Sequence, residues 1–209
     1  MIDFSNLTAS EKELIVRLPY RVGVWVSESD DLGGEDADLI EQQALIVIIT
    51  AYVEDFCKTE FVQRVMEQTV AHKAEWDSWH ENIETVPDEC RKVMHFLSGK
   101  IPDKEILAFR ANLTEIGYSV AMAYREFDDE ASFTIRIQTY LRLWLERVSA
   151  LIKGNVVQSQ DEFLNISASE RIALERLSEV LALVKVPEAK IKEPAEAEAA
   201  VADEETKEE

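Results

Sequence analysis

Apolar residues recur at helical spacing along most of this chain, and little interrupts them. Among 209 residues there are six glycines and five prolines, with almost no alternating β-branched runs. A period near 3.6 buries one face of a helix, whereas a half-buried strand needs a period of two. The chain therefore reads as all-α, a single bundle of about seven helices, long enough to bury a sizeable core.

Local signals place the helices. Thr8-Ala-Ser10-Glu-Lys-Glu13 holds two overlapping capping boxes, Thr8 with Glu11 and Ser10 with Glu13, ahead of a helix expected to reach about Asp30. Pro19 lies inside it and predicts a kink or break near Leu18. Gly33-Gly34 marks a turn, after which Asp36 or Asp38 caps a helix running to about Cys57. Further helices are expected at about 59–81, 87–98, 103–127 and 130–153, punctuated by Gly99, Pro102 and Gly154. A last helix, at about 168–185, carries Ile172, Leu174, Leu177, Val180, Leu181 and Val184, a stripe suited to docking on the bundle. The domain so defined spans residues 1–186; residues 187–209 are rich in Glu and Ala and read as a disordered acidic tail.

Charge narrows the partners. Forty-two acids against 22 bases give a formal charge of −20, of which the tail from Glu188 accounts for −6. Such a surface repels nucleic-acid backbones and anionic lipid, and attracts cations or a basic protein surface. The longest apolar run, Ala44 to Val53, is about half the ~20 residues a membrane span needs, so no membrane insertion is expected. Cys57 and Cys90 lack ligand-like spacing and read as reduced core thiols of a cytoplasmic protein.

One stretch occurs twice. Tyr20-Arg-Val-Gly-Val-Trp-Val-Ser-Glu-Ser-Asp-Asp31 returns 98 positions later as Tyr118-Ser-Val-Ala-Met-Ala-Tyr-Arg-Glu-Phe-Asp-Asp129, identical at five of 12 positions. Each copy is an apolar helix ending in paired aspartates, where the helix dipole already leaves partial negative charge. A duplicated helix pair packed about a pseudo-two-fold axis would bring these ends together. Asp30, Asp31, Asp128 and Asp129 are then candidate oxygen ligands for a divalent cation, with Glu28 and Glu126 in support. All-oxygen ligation suits Ca²⁺ or Mg²⁺ better than Zn²⁺. The segment from Asp30 to Glu41 is not an EF-hand: Leu32, Gly34 and Glu35 occupy its third, fifth and sixth places.

Val26-Ser-Glu-Ser-Asp-Asp-Leu-Gly-Gly-Glu-Asp-Ala-Asp-Leu-Ile-Glu41, with Tyr124-Arg-Glu-Phe-Asp-Asp-Glu-Ala-Ser132, resembles the TerB-like family over roughly residues 10–153. That resemblance implies a small helical domain linked to tellurite resistance and stress response, with clustered acids as a metal site.

Other readings compete. Asp36, Asp38 and Asp129 also suit helix capping. His72, Trp76 and His80 recur at i, i+4 and i+8, and only Asp77-His80 has the spacing of a di-iron carboxylate–histidine pair, so ligation there is disfavoured. An aromatic helix face around Trp76, Trp79 and His80 instead suggests an adaptor docking a protein partner, without metal. No phosphate loop, nucleophile elbow or HExxH helix is present, and no residue set divides catalytic labour, so the chain reads as a non-enzyme without an organic cofactor.

Overall fold

The computed structural model describes residues 4–29, 44–53, 57, 59–123 and 166–183. These form an all-α bundle: α1 (Ala9–Ser27), α2 (44–53), α3 (Glu60–Ala71), α4 (Trp76–Trp79), α5 (Val86–Leu97), α6 (Asp103–Ala123) and α7 (Ala168–Ala182). Among the described residues there is no strand, only an isolated bridge between Ser98 and Ile101. None of their helices is long and apolar enough to cross a membrane.

Three helices start on side-chain caps. The Thr8 hydroxyl accepts from the Glu11 N–H at 3.3 Å while the Thr8 N–H donates to the Glu11 carboxylate at 2.9 Å. Thr8, not Ser10, therefore opens α1. Ser167 and Glu170 repeat the reciprocal box at α7, at 3.1 and 2.7 Å, and Thr59 caps α3. Each box satisfies two amide donors that the first helical turn leaves unpaired.

Two expectations fail in detail. Helix α1 runs through Pro19 without a break and ends at Ser27, three residues short of Asp30. A continuous helix over 59–81 does not form: α3 stops at Ala71, and two 3₁₀ turns, Lys73–Glu75 and Ile83–Thr85, flank α4. The cause is Trp76. Its indole N–H donates to the Thr69 carbonyl at 3.0 Å, and its ring stacks on Tyr20 at 4.5 Å. A straight helix would give the Thr69 carbonyl to the amide four residues on and carry the indole past Tyr20.

The bundle is built around α1. Glu89, in the first turn of α5, meets Arg17 and Arg21. Beyond the other end of α5, Lys100 reaches Glu11 at 2.7 Å, so α5 descends antiparallel beside α1. Gly99, at φ +86, makes the turn that a side chain would strain, and α6 climbs back parallel to α1. Their upper halves meet at Gly117, where an added Cβ would lie 3.1 Å from Leu174 and Leu177 and 3.4 Å from Val26. The missing side chain lets α1, α6 and α7 converge. Phe4, Phe61 and Phe109 close the lower core, with ring centroids 5.6 and 5.7 Å apart.

The helices carrying the repeated stretch thus run side by side. Val26 sits against Gly117, 91 positions on, whereas equivalent residues are 98 apart. The seven-residue difference is a stagger of about 10 Å along a helix. This is a parallel, staggered pair, not a simple two-fold one.

Candidate functional site

The candidate site lies where α1 ends. Glu28 caps the helix, its N–H donating to the Val24 carbonyl, and Ser29 satisfies the Val26 carbonyl through its N–H and its hydroxyl at 3.1 and 2.6 Å. The Glu28 carboxylate therefore stands at the negative end of the helix dipole, an unfavourable place for an anion. His80 stands beside it: Nδ1 lies 3.3 Å from Glu28 Oε1, with both side chains 44 % exposed.

Arg21 holds His80 in place. Its guanidinium is buried, and every N–H is used. Nε donates to Glu89 at 2.8 Å, Nη1 to the Trp79 carbonyl and to the Glu81 carbonyl at 2.8 Å, and Nη2 to the Asn82 carbonyl and the Thr85 hydroxyl at 3.0 and 3.2 Å. The carbonyls on either side of His80 are thus fixed from α1. Asn82, at φ 54, completes the tight turn, and Glu89 also binds Arg17 at 2.6 Å. One helix supplies both Glu28 and the clamp that brings an imidazole to it.

Of the carboxylates expected to ligate a cation, Glu28 is described and exposed; Asp30, Asp31, Glu126, Asp128 and Asp129 lie outside the described residues. Among the described residues no group of three or more His, Cys, Asp or Glu is placed to hold a metal ion. The aromatic face is corrected. Trp76 and Trp79 are 3 % and 7 % exposed and pack on Tyr20, so the two indoles face the core and cannot present a docking surface from there. Of that trio His80 alone reaches the surface, and it meets Glu28.

Two sets of residues were missed. Arg17 and Arg21, one turn apart, carry a weak signal, since Arg21 interrupts an otherwise apolar run; Glu89 carries none. On α6, Glu105, Asn112 and Ser119 recur every seven residues, with Glu115 alongside, and all four are buried. Neither polar atom of the Asn112 amide has a hydrogen-bond partner among the described residues. Tyr52 of α2 faces this stripe: burial, and then the Glu115 carboxylate, push its phenol well above the ordinary tyrosine range. Burial also pushes the half-buried Cys57 thiol up to about 11 and the core Cys90 thiol higher still, which keeps both protonated and unreactive at neutral pH.

Compared with protein-family models, with curated proteins and with solved structures, the chain matches none.

Proposed function

We propose that this chain is a non-catalytic, cytoplasmic helical domain of TerB-like design. Its acidic helix ends bind a divalent cation or a basic protein surface, in a stress-response or tellurite-resistance assembly. The observation that carries this reading is the parallel course of α1 and α6. Asp30-Asp31 and Asp128-Asp129 follow, in sequence, from helices that climb toward the same end of the bundle. Converging carboxylates repel until a cation neutralises them, and a hard ion with oxygen ligands fits best.

The stagger sets a condition. Because α6 passes the end of α1, the segments that follow the two helices have to meet beside Glu28 and His80 for all the carboxylates to share one ion. In that arrangement His80 is a second-layer group that orients Glu28 or takes its place beside the ion.

Calorimetric titration with Ca²⁺, Mg²⁺, Mn²⁺ and Zn²⁺ tests the proposal on the full chain and on Asp30→Asn/Asp128→Asn. Binding of Ca²⁺ or Mg²⁺ tighter than about 1 mM, weakened at least about tenfold in the double variant, supports it. No ion binding in that range, or equal binding by the variant, removes it.

A further inference from the structure

Helix α7 buries Ala173, Leu174, Leu177, Val180 and Leu181 against the bundle, and its opposite face carries Ile172 and Leu183, 65 % and 61 % exposed. These are the exposed large hydrophobic side chains among the described residues. Arg176 and Glu179 stand between them. The outward row therefore reads Ile172, Arg176, Glu179, Leu183 at spacings of four, three and four, the seam spacing along which two helices meet. No ion pair engages Arg176 or Glu179 among the described residues.

This row is its own complement. Reversed end for end, it sets Ile172 against Leu183 and Arg176 against Glu179, which is the condition for an isologous two-fold contact. Its charge also balances, and the flanking Arg171 and Glu175 keep it balanced, in a chain whose formal charge is −20. Two strongly acidic molecules repel least where the local surface is neutral, so a second copy approaches most easily here.

We infer that the outer face of α7 is a homodimer interface. Two α7 helices pair antiparallel, each Ile172 packing on the partner's Leu183 and each Arg176 bonding the partner's Glu179. The 15-residue helix is about 22 Å long, and one such face buries less than the ~1,600 Å² of a standard stable interface, so the dimer is weak and concentration-dependent. Nothing in this pairing rests on the cation site.

Sedimentation velocity of the full chain over a roughly hundred-fold concentration range, at about 0.15 M salt, tests it. The expected result is a monomer–dimer equilibrium. Arg176→Glu alone and Glu179→Arg alone each bring like charges together twice and weaken association by about tenfold or more. Arg176→Glu/Glu179→Arg together restore it to within about threefold. Ile172→Asp removes the dimer, with the circular-dichroism melting curve of the monomer confirming an unchanged fold. A monomer at every concentration overturns the proposal and leaves the face to a different occupant. Association that neither single charge reversal weakens, or that the double reversal does not restore, also overturns it.

Discussion

A guanidinium taken out of water is tolerated only when its charge and its N–H groups are matched, and Arg21 meets both conditions through Glu89 and the 79–85 turn. Removing it leaves three backbone carbonyls without their donor and the Glu89 carboxylate with Arg17 alone. Arg21→Ala is expected to cost about 3–5 kcal/mol in urea unfolding, and to speed amide exchange in the 79–85 turn. Arg21→Lys recovers part of the stability, because an ammonium cannot match the planar fork. A loss below about 1 kcal/mol for the alanine variant would mean that the clamp is not what fixes His80. The same residue explains why the cation and partner readings of the sequence meet at one place: Glu28 belongs to the first, His80 to the second, and Arg21 joins their backbones.

At the scale of elements, the convergence at Gly117 decides how α1, α6 and α7 sit together. Gly117→Leu drives a branched side chain into Leu174, Leu177 and Val26, and is expected to destabilise the protein by about 3 kcal/mol, measured as a fall in the urea midpoint at unchanged slope. The helix start at Thr8 was legible because capping is a local hydrogen-bond pattern written in neighbouring residues, and the helices expected from about 59 and 168 begin there on Thr59 and Ser167 caps. Gly99 and Pro102 punctuated the chain where expected, between α5 and α6. The break at His72 was not legible, since it depends on a bond from Trp76 back to Thr69 and on a ring stack with Tyr20, 56 residues away in sequence. At Pro19 the helix continues, the local cost of the proline being absorbed by a buried helix in the centre of the bundle. Of the candidate site, the identity of Glu28 and His80 was visible and their contact was not, because nothing local connects α1 to the turn after α4.

Across the whole molecule, buried groups that must stay neutral set an alkaline limit. Cys57, Cys90 and Tyr52 all have pKa values raised by burial, so the folded state holds their protons after the unfolded chain has released them. Stability from these groups is complete below the unfolded thiol value of 9.0, and it falls as pH rises through 9.0 toward about 11, where the Cys57 thiol itself ionises. Urea midpoints at pH 8 and pH 10 should therefore differ, the higher pH giving the lower midpoint, and equal midpoints would mean that these groups are not held neutral. The proposed cation site is the other global feature, since α1 and α6 run parallel and Asp30-Asp31 and Asp128-Asp129 follow them in sequence. Paramagnetic broadening by substoichiometric Mn²⁺ in an amide NMR spectrum tests that most directly. The account predicts that the Ser29, His80 and Ala123 signals broaden together while those of Glu11 and Lys100, at the far end of α1, stay sharp. Broadening spread evenly over the surface, or confined to one of the two helix ends, would contradict it.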